Sequence, residues 1–328
     1  MTDRRIMRSR HMWGLLALSV LVALAFSASM LLGPASIEPR AAATALFGAG
    51  DNFTRAVVLG VRLPRALAAL TVGSLLGLAG VLLQALFRNP LADPFVLGVS
   101  GGAAVGALLG MLTGAGFAVI HGSAIAGGVA AGILTLLLGR GGGGLRLLLC
   151  GVVLASTCGA AITVLLTLAD TGQVRGMVFW LAGDLGWAQY PMFNLGVVGA
   201  ALALSLLLGR VLNVLGAGEL RSSSVGLDAR AARLWVFLLA AALTALAVVS
   251  AGTVGFVGLI APHTVRLAFR TSDHRIVAPG AALMGGLLLC VADILSRTIA
   301  APRELPVGAI TALIGAPLFI VLLRRSAS

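Results

Sequence analysis

The stretch from Ala66 to Phe87 reads ALAALTVGSLLGLAGVLLQALF, which is 22 residues without a charge. A bilayer core is about 30 Å thick, and a helix needs about 20 apolar residues to cross it. This stretch is therefore predicted to be a membrane-spanning helix. Its glycines Gly73, Gly77 and Gly80 lie about one helical turn apart. Small residues at this spacing let helices approach closely in a membrane, so they predict a tightly packed bundle.

The rest of the chain has the same character. Its 328 residues are 59% hydrophobic and 10% charged, with a mean hydropathy of +1.07. Soluble domains carry about 25% charged residues, so an ordinary soluble globule is excluded. We predict an all-α polytopic membrane protein with about ten transmembrane helices in a single domain over residues 1–328. The predicted spans are 12–33, 66–87, 94–111, 117–138, 147–168, 192–211, 232–251, 257–270, 277–296 and 307–323.

The arginines predict the orientation. The apolar run at residues 12–32 is longer than the 7 to 15 residues of a signal peptide's apolar region, so it is assigned as span 1. With both termini in the cytoplasm, sixteen arginines lie inside and seven outside, which agrees with the positive-inside rule. Since these arginines are scattered between apolar segments, the net charge of +12 does not indicate nucleic-acid binding.

All 23 basic residues are arginine. A P-loop needs a lysine to reach the nucleotide phosphates, so ATP hydrolysis by that route is excluded and energy from ATP must enter through a partner. Paired carboxylates, a serine with a base inside a span and a histidine cluster are all missing from the sequence, so no enzyme, metal site or cofactor is predicted. The cysteines Cys150, Cys158 and Cys290 are interpreted as small buried apolar residues.

Several short motifs occur in a fixed order. They are RLPR (62–65), GVLLQ (80–84), NPLADP (89–94), LGVSGGA (97–103), GFVGLIAPH (255–263) with Arg266, DHR (273–275), ELPVG (304–308) and GAP (315–317). From about residue 55 to 325 the series closely resembles the FecCD family, the permeases of ferric-siderophore, haem and vitamin B12 importers of the ABC type. The resemblance assigns structural roles in these motifs to Gln84, Pro262, His263, Arg266, Glu304 and Pro306.

The resemblance implies a ten-span permease subunit in the bacterial inner membrane. Such a subunit is surrounded by lipid and pairs with a second permease copy, identical or similar. It binds cytoplasmic ATPase subunits that supply ATP hydrolysis, and it receives substrate from a periplasmic binding protein. Frequency within the family favours an iron complex, a ferric siderophore or haem, and cobalamin is the alternative. A secondary transporter is a remote alternative, because it would need buried ionisable residues for ion coupling.

The longest polar stretch on the predicted cytoplasmic side, residues 212–230, lies where the family places the helices that contact the ATPase. Glycines bound a short charged segment there, and a short rigid helix can transmit a push that a flexible loop cannot. The alternative is a solvated loop. The candidate coupling residues are Leu215, Gly216, Gly218, Glu219, Leu220, Arg221, Ser224 and Gly226.

Three arginines match positions that receive acidic residues of the binding protein in the vitamin B12 permease: Arg62, Arg65 and Arg297. Outward-facing guanidiniums would form bidentate pairs with carboxylates, and the alternative is anchoring at the lipid headgroups. Asn89, Pro90 and Leu91 are the candidate gate of the pathway. The alternative for this tripeptide is a plain helix terminator, since Pro90 stops a helix and Asn89 can cap the next turn.

Inside the predicted spans, ionisable residues are few. Asp293 falls well within a span, four residues before Arg297, so an ion pair between them is favoured over a contact with substrate. His263 is interpreted as a structural histidine beside a helix break rather than a metal ligand. Aromatic residues in the external segment 169–191 are predicted near the lipid interface: Trp180, Trp187 and Tyr190.

Overall fold

The computed structural model describes residues 2–140, 143–188, 190–217 and 228–326, and in these ranges the regular structure is helical. The helices are α1 (Thr2–Leu31), α2 (Pro39–Leu46), α3 (Asn52–Val57), α4 (Leu63–Phe87), α5 (Val99–Leu112), α6 (Phe117–Gly139), α7 (Gly143–Leu168), α8 (Thr171–Leu181), α9 (Pro191–Leu207), α10 (Gly209–Ala217), α11 (Ala229–Ala251), α12 (Val257–Phe269), α13 (His274–Thr298) and α14 (Val307–Ser326). Short turns of other helix types cover Val58–Arg62, Pro94–Leu97 and Leu185–Trp187.

An apolar helix occupies each of the ten predicted spans. Within the described residues, six helices are long and apolar enough to cross a membrane, and α9 with α10 forms a further candidate that bends by 60°. Three shorter apolar helices, α5, α12 and α14, occupy the remaining positions. The prediction of an all-α, multi-span protein is confirmed. The sequence predicted one span at 192–211, and the structure divides it into α9 and α10 with a break at Leu208.

Helix α4 forms the centre of the bundle. Its residues are buried almost without interruption from Ala66 to Leu86, and it packs against α13, α11, α12 and α9. By contrast, α7 exposes large apolar side chains along its length, including Leu145, Val153 and Leu168. An apolar helix with an exposed surface suits a lipid environment, and one buried on all sides belongs in the interior.

The glycines of α4 explain its tight packing, as the sequence predicted. A Cβ atom at Gly73 would overlap the carbonyl oxygen of Gly285, and one at Gly77 would overlap that of Ala281. A Cβ at Gly80 would meet the carbonyl of Gly258 on α12 in the same way. The backbones of α4, α12 and α13 therefore touch directly, which brings polar groups near the two ends of α4 within reach of one another.

The two ends of the bundle can be named by residues of α4. At the Arg65 end, α1 ends, α4 begins and α13 ends. At the Gln84 end, α4 and α12 end, α13 begins, and α1 begins beside Phe269. α14 starts at the Arg65 end, where the Val307 amide donates to the Gly183 carbonyl, and runs toward the other end.

The connections at the Arg65 end carry structure of their own. Residues 34–65, expected as an external segment, contain α2, α3 and a helical turn that leads into α4 without a break. The expectation that Trp180 lies at the lipid interface is wrong, because α8 folds back against α5 and the Trp180 side chain is buried in an apolar cluster. Tyr190 is exposed, as expected. Cys158 and Cys290 are buried and Cys150 is half-buried.

Candidate functional site: polar clusters at the two ends of the central helix

A network of charged residues occupies the Arg65 end. The Arg65 guanidinium donates through Nε to Asp293 Oδ1 at 2.7 Å and through Nη1 to Glu304 Oε2 at 2.7 Å. Arg297 Nη2 lies 2.8 Å from Asp293 Oδ2, so the predicted pairing of these two residues along one helix is confirmed. Asp293 is fully buried, whereas the Glu304 side chain is 41% exposed. The network joins α4, α13 and the segment before α14.

Arg62 and Arg297 hold the end of α1. The last carbonyls of a helix have no partner within the helix, so they need outside donors. Arg62 donates to the carbonyls of Met30 (2.8 Å), Leu31 (3.0 Å) and Ala35, and Arg297 donates to the Leu32 carbonyl (3.1 Å) and to Ser29 Oγ (2.8 Å). Both arginines are buried, with 3% and 4% of their surface exposed. The expectation that they face outward is therefore wrong.

Gln84 occupies the opposite end and connects α4 to α12. Its Oε1 accepts a hydrogen bond from Arg266 Nη1. Its Nε2 lies 3.4 Å from the carbonyl oxygens of Ala92 and Gly258. Pro262 lies inside α12 and lacks an N–H, so the Gly258 carbonyl four residues earlier loses its helical donor. The Gln84 amide supplies that missing donor, which gives these family-motif residues a shared physical role.

Two other family-motif residues have simpler surroundings. The His263 ring is buried and contacts the Phe319 ring edge-on, with the ring centroids 5.9 Å apart. Pro306 directly precedes α14, and its carbonyl accepts the hydrogen bond of the Ile310 amide in the first turn of that helix.

The tripeptide 89–91 forms the turn that follows α4. Arg88 ends the helix in the left-handed conformation with φ of 52°. Asn89 Oδ1 then accepts a hydrogen bond from the Leu91 amide at 2.9 Å. The helix-terminating geometry predicted for this tripeptide is present. Pro90 also lines a cleft of about 560 Å³ together with Gln84, Ala85, Arg88, Asn213, Gly216, Ala217, Arg266, Ser272, Asp273 and His274.

Asn213 ties α10 to the start of α13. Its Nδ2 donates to Asp273 Oδ1 at 2.9 Å, and its Oδ1 accepts from the backbone amide of His274 at 2.9 Å. The same oxygen lies 2.7 Å from His274 Nδ1. Burial alone would raise the pKa of Asp273, but hydrogen bonds from Asn213 and the Arg275 amide outweigh it and lower that pKa below its usual value.

Sequence reasoning placed Asn213 within the coupling segment 212–230 but gave it no role of its own. The available signal was a single amide side chain on a short helix whose other polar side chain is Arg210, two residues before the first candidate coupling residue, Leu215. Of those candidates, Leu215 is buried and Gly216 lies near the His274 ring, where a Cβ would be 3.6 Å from Cε1. The other candidates lie outside the described residues: Gly218, Glu219, Leu220, Arg221, Ser224 and Gly226.

A bundle of apolar helices with its buried charges concentrated at the two ends defines a polytopic membrane protein. The model of the FecCD transport family matches residues 20–325. The chain belongs to this family, and it is a permease subunit of the ABC-importer type.

Named relatives agree with this assignment. The chain is 41% identical to the hemin transport system permease protein HmuU of Yersinia pestis, over 81% of this chain and 83% of that protein. It is also 41% identical to the Fe(3+) dicitrate transport system permease protein FecD of Escherichia coli K12, over 82% and 85% of the two chains. Identity to the vitamin B12 import system permease protein BtuC of Salmonella typhi is 38%, over 100% of this chain and 99% of that one.

A solved structure has the same fold. It is described as an inward-facing conformation of a metal-chelate type ABC transporter, and it superimposes with a TM-score of 0.84 at 30% identity. The match covers 96% of this chain and 99% of that one. The arrangement of helices is therefore that of a known transporter along nearly its whole length.

Proposed function

We propose that this chain passes an iron complex, a ferric siderophore or haem, through the bacterial inner membrane as the permease of an ATP-driven importer. The proposed class of cargo rests on two relatives that are 41% identical to this chain and are named for hemin and for Fe(3+) dicitrate. Cobalamin is the second candidate, because the match to a vitamin B12 permease extends over 100% of the chain.

The cargo is tested with the importer reconstituted in vesicles from this chain, its ATPase and its binding protein. Uptake of haemin, a ferric siderophore, ferric dicitrate and cobalamin is measured with ATP inside the vesicles. Thermal-shift binding of each compound to the binding protein shows whether it can be delivered. Uptake of an iron complex without uptake of cobalamin is expected, and uptake of cobalamin alone would contradict the proposal.

The distribution of charge favours an ATP-driven pathway over an ion-coupled one. Buried ion pairs of the described residues lie at the Arg65 end, and the Gln84–Arg266 contact lies at the other. The α4 core between them is apolar apart from small hydroxyl residues. Ion-coupled transporters place ionisable groups near the middle of the membrane. The energy therefore enters through a cytoplasmic ATPase, at the coupling segment 212–230.

The coupling segment is assigned to the Gln84 end, where α10 leads into it. A direct test is the charge reversal Glu219→Arg, compared with Glu38→Arg at an exposed position near the Arg65 end. Glu219→Arg should abolish the stimulation of ATP hydrolysis by the loaded binding protein, and Glu38→Arg should retain it. Full stimulation in Glu219→Arg would argue for a solvated loop instead.

The binding protein is assigned to the Arg65 end. Arg62 and Arg297 are already engaged with α1, so Arg65 is the arginine through which a carboxylate of the binding protein acts, in competition with the partly exposed Glu304. Arg65→Gln should weaken docking more at low salt than at high salt. The control variant Arg303→Gln, at an exposed position nearby, should leave docking of the binding protein unchanged. Equal affinities for the two variants would count against this assignment.

Membership of the family supports the proposed assembly. A second permease copy, identical or similar, completes the pathway, with both termini of each copy in the cytoplasm. Cross-linking of the purified importer through single introduced cysteines distinguishes a homodimer from a heterodimer. Labelling of a cysteine at the C-terminus from the inside of the vesicles alone is the expected result for the orientation.

A further inference from the structure

A cleft separates the start of α1 from the end of α12, away from both polar clusters described above. It has a volume of about 520 Å³ and is lined by Arg10, His11, Gly14, Ala268, Phe269 and Arg270. Gly14 allows α1 and α12 to approach closely beside the cleft, since a Cβ there would lie 2.7 Å from Cε1 of the Phe269 ring. The ring can therefore rest directly on the backbone of α1.

Among the residues whose side chains the structure describes, the cleft carries positive charge without a counter-charge. Arg10 and Arg270 are both exposed, and in the part of the chain that the structure describes no carboxylate pairs with either. The nearest acid in sequence to Arg270 is Asp273, which is engaged by Asn213. The described ion pairs of the molecule lie at the opposite end of the bundle.

His11 offsets the partial negative charge at the end of α12, which would otherwise repel an anion from the cleft. The end of a helix carries partial negative charge on its last carbonyls. At the end of α12, His11 Nε2 lies 3.1 Å from the Phe269 carbonyl oxygen, within hydrogen-bonding distance. Donation from this nitrogen partly neutralises the carbonyl facing the cleft, so the guanidiniums determine its potential.

The surface beside the cleft suits acyl chains. Arg10 lies at the start of the apolar segment of α1, which begins at Ser9. One turn further in, Trp13 is 69% exposed, and beyond it α1 presents a series of exposed aliphatic side chains: Leu16, Val20, Leu21 and Leu24. Tryptophan is enriched at the depth of lipid headgroups. A ligand that fits must have an anionic head and apolar tails.

We propose that this cleft binds the phosphate group of an anionic phospholipid, such as phosphatidylglycerol, with its acyl chains along α1. Basic clefts between membrane helices on the cytoplasmic side are suited to such headgroups. The lipid joins α1 to the end of α12, which otherwise meet at this point through His11 and Phe269. This site is independent of the identity of the cargo.

The test is titration of the purified protein in detergent with dioleoylphosphatidylglycerol or dioleoylphosphatidylcholine, with bound lipid counted by native mass spectrometry. Each arginine near a membrane surface contributes about fivefold to the affinity for an anionic lipid. The double variant Arg10→Gln with Arg270→Asn should therefore bind phosphatidylglycerol on the order of 25-fold more weakly. Asparagine is chosen at 270 because that residue has a φ of 50°, which asparagine tolerates.

The matched control is Arg40→Gln with Arg303→Gln, two exposed arginines at the Arg65 end. It removes the same charge and should leave phosphatidylglycerol binding unchanged. Equal weakening in both double variants, or equal binding of the two lipids by the wild type, would overturn the proposal. Displacement of phosphatidylglycerol by millimolar inorganic phosphate would show a free-anion site instead. Thermal unfolding in phosphatidylcholine verifies that each variant is folded.

Discussion

Asp293 has no exposed surface and lies between the guanidiniums of Arg65 and Arg297. Replacing it with asparagine keeps the size of the side chain but leaves the buried Arg297 without an anion, and leaves Arg65 with only the partly exposed Glu304. Loss of one partner of a buried ion pair costs roughly 3 to 5 kcal/mol. Asp293→Asn should therefore lower the thermal unfolding temperature strongly, as measured by loss of the folded protein in detergent.

The control for this change is Asp170→Asn. Asp170 is exposed and precedes α8 without a side-chain capping hydrogen bond, so the same chemical change there should have little effect. If both variants unfolded at the same temperature, the charge network would not contribute to stability.

A second prediction concerns the carbonyl that Pro262 leaves without a donor. Gln84→Leu removes the acceptor of Arg266 and the donor to Gly258, and unsatisfied buried groups cost about 1 to 3 kcal/mol each. Pro262→Ala restores an N–H four residues after Gly258. In the Pro262→Ala variant, the loss of unfolding free energy caused by Gln84→Leu should be about 1 kcal/mol smaller than in the wild type. Additive effects in this double-mutant cycle would mean that Gln84 does not replace the missing helical donor.

Only some of the contacts between individual residues could be predicted from the sequence. The pairing of Asp293 with Arg297 can be predicted from the sequence because both residues lie on one helix, four residues apart. The partner of Arg65 is 228 residues away, so only the packing of α4 on α13 reveals it. Arg62 was expected outside because it precedes a span. Its burial depends on the end of α1 folding over it, which no local pattern encodes.

At the scale of elements, Asn213 is the side chain that hydrogen-bonds α10 to the start of α13. Asn213→Ala removes the hydrogen bonds to Asp273 and His274 while changing little else. Stimulation of ATP hydrolysis by the loaded binding protein should fall several-fold, because movement of the coupling segment would no longer reach α13. Basal hydrolysis by the complex and its affinity for the binding protein should stay close to the wild type.

Asn194→Ala is the matched control, since Asn194 is a buried asparagine on α9 that donates to Ser250 Oγ at 3.0 Å. It should lower the unfolding temperature about as much as Asn213→Ala but keep the stimulation of ATP hydrolysis. Equal loss of stimulation in both variants would mean that Asn213 acts through general stability.

The helices themselves were largely predictable, and their irregularities were not. The apolar runs locate all ten segments, because only helices satisfy their own backbone groups in lipid. The short helices α5 and α12 begin and end within a few residues of glycines or polar turns that the sequence displays. The bend at Leu208 and the return of α8 into the bundle are set by contacts between distant helices. Hydropathy carries no signal for either.

At the scale of the whole molecule, two charged ends separated by an apolar, glycine-packed middle suit a protein that is driven from one end and loaded at the other. α4 runs the full distance between the ends, with Arg65 paired to α13 at its start and Gln84 paired to α12 near its finish. At Gly73, Gly77 and Gly80 this helix contacts the backbones of α12 and α13 directly. On the proposed assignment of the ATPase to the Gln84 end, these backbone contacts connect the driven end to the Arg65 end.

This arrangement predicts that transport depends entirely on the ATPase partner. A P-loop lysine is required to bind the nucleotide phosphates, so replacing that lysine in the partner inactivates it. Vesicles that contain the complex with this inactive partner should take up cargo no faster than empty vesicles, with or without an imposed proton or sodium gradient. Binding of the loaded binding protein should be unchanged, which shows that the complex is intact. Uptake that persisted in an ion gradient would require the buried charges to act in ion coupling, and the chain would then be a secondary transporter.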